Sequence, residues 1–284
     1  MIQPVLKDDA FLEDVRSAGH EANGLHLWWL GQSGYLVGWQ NHFLLIDPYL
    51  SDSLTHKYAG TDRPHVRMTE RVVAPERLGF VDVVASTHNH TDHLDGETLI
   101  PILNANPGLT VVVGRANLDF AATRLHVHPE RLTPIQADGD PVTAGPFTLW
   151  AIPSAHETLE TDDNGDHRYI GYILQAGKWT IYHSGDACPY IGLAERLINW
   201  KLDIAILPIN GRDPKRGVAG NFTPHEAVAL SKEIGVGIVI PCHYEMFEFN
   251  TVSPLEFVTA AESLDQPYRL LKCGERFNLR YRFP

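Results

Sequence analysis

Three histidines and two aspartates follow one short apolar segment, and this arrangement constrains the fold more than any other feature of the chain. The segment 80–86, FVDVVAS, is rich in β-branched residues and favours a buried strand. Residues 87–95, THNHTDHLD, come directly after it. Open α/β sheets usually hold their ligands at the carboxyl ends of strands, just before a helix. The pattern therefore favours an α/β fold with a ligand site at this strand end.

The spacing inside this string fits two neighbouring metal ions. His88 and His90 are two residues apart, so in extended backbone their side chains point the same way and can bind one ion. Asp92 and His93 follow where the chain turns toward a helix, and they can face a second ion. The alternative interpretation is a polar surface turn that happens to contain three histidines, and the position after a buried strand disfavours it.

Later in the chain, more candidate ligands each follow a predicted strand. They are His156 after strand 146–152, Asp186 after strand 178–184, and His243 after strand 236–241. One such residue alone would more often be a turn or a satisfied polar group. Together they complete two predicted sets, which are His88, His90 and His156 for one ion and Asp92, His93 and His243 for the other, with Asp186 as a bridge. Three protein ligands with an open position are typical of a catalytic metal. Nitrogen and carboxylate donors suit Zn²⁺, Mn²⁺ or Fe²⁺ without choosing among them.

Apolar runs along the chain predict two halves with the same rhythm. In the first half, strands 26–30, 35–39 and 42–47 predict an antiparallel meander, and strand–helix alternation follows. The second half repeats this rhythm from residue 169. This pattern predicts an α/β (α+β) fold in which two mixed sheets pack face to face with helices outside. Such a fold is a four-layer αββα sandwich.

We expect residues 1–284 to form a single domain. A short helical lead-in covers residues 1–23, and two pseudo-repeated halves cover about 24–165 and 166–284. One helix start is well marked, since Thr223 can cap it, Pro224 suits its first turn and Glu226 lies three residues after the cap.

Composition excludes several classes of partner. The chain has 23 Lys and Arg against 35 Asp and Glu, a formal charge of −12, which disfavours a nucleic-acid partner. The apolar runs are strand-length, far short of the ~20 residues that span a bilayer, so we expect no membrane partner. The amino terminus lacks the pattern of a secretory signal, and the three cysteines form no C-x-x-C pair. These features predict a cytoplasmic protein.

The string H-x-H-x-D-H, with Asp47 before it and the three later strand-end ligands after it, resembles the metallo-β-lactamase superfamily. Within that superfamily, LWWLGQSGYLV, ASTHNHTDHLD, YHSGDACPY and VIPCHYEMF are similar to the L-ascorbate-6-phosphate lactonase-like hydrolases. The resemblance spans roughly residues 25 to 250. It implies an αββα sandwich, two divalent ions, catalytic roles for Asp92 and Asp186, and an Asp47 that orients the histidine loop. In the turn where these relatives often have histidine, this chain has Gln32.

The resemblance implies a hydrolase that uses a metal-bound hydroxide on a lactone or similar ester of a small sugar acid, with or without a phosphate. A metal-dependent phosphodiesterase and a non-catalytic metal-binding protein are the alternatives. His183, Glu157 and Glu245 are candidate proton donors, and the sequence does not choose among them.

A basic segment after strand 203–209 is the candidate for recognition of the substrate. It contributes three cations, Arg212, Lys215 and Arg216, that could bind a phosphate or carboxylate. The alternative is that this segment is a solvated turn with no role in binding. We expect a small-molecule substrate as the partner, and the sequence leaves a homo-oligomer open.

Overall fold

The computed structural model describes residues 1–21 and 23–280. Within that part of the chain, thirteen strands form two sheets and seven α-helices lie around them. The strands are β1 (Gly24–Gly31), β2 (Gly34–Trp39), β3 (His42–Ile46), β4 (Val83–Ser86), β5 (Thr110–Gly114), β6 (Thr133–Ile135), β7 (Val142–Ala144), β8 (Phe147–Pro153), β9 (Ile170–Ala176), β10 (Trp179–His183), β11 (Ile204–Pro208), β12 (Ile238–Cys242) and β13 (Arg276–Arg280). The helices are α1 (Asp8–Gly19), α2 (Ser53–Lys57), α3 (Gly96–Ala105), α4 (Leu118–Leu125), α5 (Leu193–Leu197), α6 (Pro224–Glu233) and α7 (Leu255–Ser263).

The first sheet has the order β13-β1-β2-β3-β4-β5-β6. β1, β2 and β3 pair antiparallel, which confirms the predicted meander, and the pairs from β3 to β6 are parallel. Because β3 and β4 run the same way, their carboxyl ends meet at one edge of the sheet. Asp47 follows β3 and the histidine string follows β4, so both reach that edge.

The second sheet has the order β12-β11-β10-β9-β8-β7. β10, β11 and β12 are parallel, while β9 runs antiparallel to both β10 and β8. It follows that β8, β10 and β12 all run in one direction. Their carboxyl ends lie on one edge, and His156, Asp186 and His243 come shortly after these ends.

The two sheets share one apolar core. Trp28, Tyr35 and Tyr182 are among its fully buried side chains. The Tyr172 hydroxyl of β9 donates to the Ser86 carbonyl of β4 at 2.8 Å, which joins the sheets directly. This arrangement is the predicted four-layer sandwich, with helices on the outer faces of both sheets.

Short elements account for the main differences from the predicted pattern. β7 is only three residues long and α2 only five, too short for a periodic signal. The chain enters the second sheet at β7, before residue 165, and β13 returns to the first sheet. The predicted second half extends to residue 284, and residues 281–284 lie outside the described residues.

The capped helix start is confirmed. The Thr223 hydroxyl accepts from the Glu226 N–H while the Glu226 carboxylate accepts from the Thr223 N–H, and Pro224 opens α6. Across the described ranges, the structure contains no helix with the length and apolar character needed to cross a membrane.

Candidate metal centre

The strand ends bring the seven predicted ligands into two adjacent clusters. The first cluster consists of His88, His90 and His156, and the second of Asp92, His93, Asp186 and His243. Within each cluster, one ligand atom per residue lies within 4.8 Å of the others. The ligands come from both sheets, so the centre exists only where the two edges meet.

Asp186 lies between the clusters. Its Oδ1 is 3.3 Å from Nε2 of His93, and its Oδ2 is 3.4 Å from Nε2 of His243 in the second cluster. The same Oδ2 is 3.8 Å from Nε2 of His156 in the first cluster. One buried carboxylate therefore faces ligands of both sets, which is the position that a bridging ligand requires.

Hydrogen bonds fix the orientation of the histidines. Nδ1 of His93 donates to the Asp47 carboxylate at 2.7 Å, and Nδ1 of His156 donates to the Gly220 carbonyl at 2.9 Å. Nδ1 of His88 lies 3.0 Å from the Thr87 hydroxyl. Because each Nδ1 is bound in this way, each Nε2 presents its lone pair to the centre.

The free nitrogens fit a bound cation. Nε2 of His88 and Nε2 of His93 are buried, and neither has a hydrogen-bond partner within the part of the chain that the structure describes. A buried, unpartnered acceptor is costly unless something else satisfies it. Imidazole nitrogens with carboxylates are the donor set of Zn²⁺, Mn²⁺ and Fe²⁺. The residues thus fit divalent metal ions on the chemistry of the site.

Asp47 is the anchor of the histidine loop. It is fully buried, and it accepts from the Thr87 N–H at 2.8 Å and from the Thr87 hydroxyl at 2.6 Å, as well as from His93. Since the Thr87 hydroxyl gives its proton to Asp47, it accepts from His88. One carboxylate therefore sets the tautomers of a ligand in each cluster.

The electrostatics of the centre favour positive charge. Burial lowers the pKa of His88 well below its ordinary value and lowers that of His90 to about 4, so both rings are neutral ligands at pH 7. Burial opposes ionisation of Asp186, but His243 and His93 outweigh it and hold the pKa of that carboxyl well below its usual range. Burial likewise disfavours charged His93, yet the carboxylates of Asp186, Asp47 and Asp92 raise its pKa well above normal, so they favour a cation on its Nε2, whether a proton or a metal ion.

Gln32 also belongs to the centre. The sequence singled it out only because relatives often have histidine at this position. Its side-chain Nε2 lies 2.8 Å from Oδ2 of Asp92 and 2.9 Å from Nε2 of His243. Residue 32 is 60 positions from Asp92 and 211 from His243, so only the fold places it there.

A cleft of about 410 Å³ opens above both clusters. Five of the seven candidate ligands line it, namely His90, Asp92, His156, Asp186 and His243. The apolar part of its wall consists of Leu54, Tyr58, Phe120, Val218, Ala219 and Phe247. His65 also lines the cleft, with its ring stacked on Tyr58 at 4.3 Å. Sequence reasoning could not single out His65, because it belongs to no motif.

The predicted substrate cations lie elsewhere in the described structure. Arg212 pairs with Glu226 and donates to the Asn221 carbonyl at 3.0 Å. Arg216 donates to the Asn210 carbonyl at 2.6 Å, and Lys215 is exposed. Among the described residues, none of these three cations is part of the cleft lining, where the positive side chains are Lys57 and Arg124.

Of the three candidate proton donors, two bind backbone near the centre. Nε2 of His183 donates to the Ser33 carbonyl, while its Nδ1 accepts from the Gly185 N–H. The Glu157 carboxylate accepts from the Gly220 N–H at 3.2 Å, which supports the carbonyl that holds His156. Within the described ranges, neither these residues nor Glu245 line the cleft.

Comparison with known proteins places this geometry in a family. The model of the beta-lactamase superfamily domain matches residues 42–244. A metal-dependent hydrolase from Caldivirga maquilingensis is 26% identical over 259 residues, covering 89% of this chain and 98% of that protein. A protein of Escherichia coli O127:H6, named a probable L-ascorbate-6-phosphate lactonase, is 23% identical, covering 81% of this chain and 72% of that protein.

Solved structures share the fold at lower identity. An isothiocyanate hydrolase from Delia radicum gut bacteria superposes with a TM-score of 0.70 at 18% identity, covering 90% of this chain and 99% of that one. A likeness at this identity supports the architecture of two sheets with outer helices.

Proposed function

Since the chain belongs to the beta-lactamase superfamily, we propose that it hydrolyses a lactone or similar ester of a small acid with two divalent ions. Relatives named metal-dependent hydrolases support the enzyme class, and the relative named for a lactonase supports the ring ester. The observation that carries the proposal is the position of Asp186. Its two carboxylate oxygens face candidate ligands of both clusters. A non-catalytic scaffold would not need a shared carboxylate beneath an open cleft.

The two clusters would each hold one ion, with Asp186 between them. His88, His90 and His156 offer three nitrogens, whereas Asp92, His93 and His243 offer two nitrogens and a carboxylate. When bound, such ions lower the pKa of a coordinated water toward ~7 and polarise the carbonyl under attack.

The residues of the chain itself orient and shield the reaction. Asp47 and the Gly220 carbonyl hold His93 and His156 in the tautomer that presents Nε2. Asp92 lies 3.6 Å from Nε2 of His93 and 3.7 Å from Nε2 of His243, so its charge is shared within the second cluster. The apolar wall of the cleft would exclude water from the ester, which strengthens the electrostatic interactions at the floor.

Charge recognition remains part of the proposal. Val218 and Ala219, which follow these cations in the chain, line the cleft, so Arg212, Lys215 and Arg216 would recognise a phosphate of the substrate that extends beyond the cleft. Arg212→Ala and Arg216→Ala are then expected to raise KM for a phosphorylated substrate. An unchanged KM for both variants would remove this role, and Lys57 at the cleft would become the candidate.

The test is a pH-stat assay of the protein loaded with Mn²⁺ or Zn²⁺, which measures the protons released when a substrate is hydrolysed. The panel contains sugar-acid lactones with and without phosphate, simple esters and phosphodiesters. Lactone turnover supports the proposal, whereas phosphodiester turnover alone would replace it with the second activity on this fold.

Asp186→Asn is the variant for this test, and Asp163→Asn is its matched control because Asp163 is exposed. We expect Asp186→Asn to lose metal and turnover together, measured by elemental analysis and pH-stat, while the control keeps both. Full activity of Asp186→Asn with two ions bound would refute the bridging role.

A further inference from the structure

The backbone holds Gln32 rigidly in the turn between β1 and β2. Its side chain is almost fully buried, and its φ of 51° lies in the left-handed region that few non-glycine residues adopt. Its carbonyl accepts from the His243 N–H and from the Trp29 indole N–H, each at 3.0 Å. The backbone of Gln32 is therefore hydrogen-bonded to the backbone of His243, a candidate metal ligand, and this contact fixes where the Gln32 side chain begins.

The amide of Gln32 is oriented by Asp92. With Nε2 at 2.8 Å from Oδ2 of Asp92, the carboxylate accepts an amide proton. The opposite orientation would place Oε1 against the carboxylate, lone pair to lone pair, and would be repulsive. Oε1 itself is buried and has no hydrogen-bond partner within the described residues.

The two amide protons therefore point at two atoms of the second cluster. Nε2 is 2.9 Å from Nε2 of His243 as well as 2.8 Å from Oδ2 of Asp92. These are lone pairs that a metal ion would need, so an ion and the amide compete for them. In the first cluster, by contrast, Nε2 of His88 has no hydrogen-bond partner among the described residues.

We propose that Gln32 makes the second metal position the weaker of the two. The inference rests on the proposed two-ion function. His88, His90 and His156 bind the first ion without competition, whereas a second ion must displace the amide from Asp92 and His243. The two ions consequently bind in order, and the second exchanges readily with free metal.

The experiment is a titration of chelator-treated protein with Zn²⁺ and with Mn²⁺, followed by calorimetry and by a competing chromophoric chelator. Wild-type protein is expected to bind one ion tightly and a second more weakly. In Gln32→Ala, the second ion is expected to bind on the order of tenfold more tightly, the equivalent of one or two net hydrogen bonds removed from its ligands. The first ion should bind as before.

Gln32→Asn serves as a second variant, because asparagine tolerates the left-handed backbone while its shorter amide retreats from the ligands. Gln175→Ala is the matched control, since Gln175 is exposed on β9. Weaker binding of the second ion in both Gln32 variants would overturn the proposal, because the amide would then be a ligand. Equal affinities in wild type and variants would also overturn it, whereas wild-type protein that binds no ion would refute the proposed function itself.

Discussion

Replacement of Asp47 by asparagine should lower the metal affinity of the centre, although Asp47 is not itself a candidate metal ligand. Asp47 is fully buried and accepts the Nδ1 proton of His93 at 2.7 Å. In Asp47→Asn, Oδ1 can still accept from the Thr87 N–H, but an amide NH₂ then faces His93. To accept from that amide, His93 must move its proton to Nε2, the atom that faces Asp186 and the second cluster.

The size of the effect follows from this tautomer change. Loss of an outer partner of a metal-bound histidine lowers metal affinity by about 10–100-fold, or about 1.4–2.8 kcal/mol. The upper end applies here, because the Asp47–His93 bond is completely buried and charge-assisted. Loss of this bond should also lower the free energy of unfolding by about 1.5–3 kcal/mol.

The assay is metal titration of the folded variant, combined with urea unfolding of the metal-free protein. Asp82→Asn is the control, since Asp82 accepts from the Phe43 N–H at 2.7 Å at the opposite end of the same strands. If Asp47→Asn bound both ions with wild-type affinity while remaining folded, the reasoning from the Nδ1 hydrogen bond would be wrong.

Two further predictions concern stability and the cleft. Burial lowers the pKa of His26 to about 4, below its ordinary 6.5, so the unfolded chain binds this proton first as pH falls. The contribution of His26 to the free energy of unfolding should therefore be complete above pH ~6.5 and should decline between ~6.5 and ~4. Urea unfolding of His26→Gln should show a smaller decline of this free energy with falling pH than wild type shows. Equal slopes of the free energy of unfolding against pH in the two proteins would contradict this. Phe120 lines the cleft and is partly exposed, so Phe120→Ala should raise KM severalfold for a lactone with an apolar substituent, whereas Phe80→Ala, outside the cleft, should not. An equal KM in both phenylalanine variants would show that this wall does not contact substrate.

Much of the fold follows from local signals. The runs at 26–30, 35–39 and 42–47 became β1, β2 and β3 because apolar side chains on extended backbone must be buried on a sheet. Thr223 caps the start of α6 through a capping box whose members lie within four residues. β7 and α2 carried no such signal, because three and five residues cannot show a period.

The candidate ligands were also visible in the sequence, because each lies beside its own strand. His88 and His90 share one extended segment, and His156, Asp186 and His243 each come after one strand. The structure brings all of them to the meeting edges of two sheets. Parallel strands with ligands at their carboxyl ends leave little choice in where those ligands meet.

Only the tertiary structure decided what surrounds the ligands. Arg212 belongs to a basic segment, yet it pairs with Glu226, fourteen residues away, outside the cleft lining of the described chain. Gln32 meets His243 from 211 residues away, and His65 reaches the cleft through packing against Tyr58. Periodicity and spacing encode which face of an element is buried. They do not encode which distant donor meets a given lone pair, because hydrogen bonds and ion pairs depend on distances that exist only after the two sheets have packed.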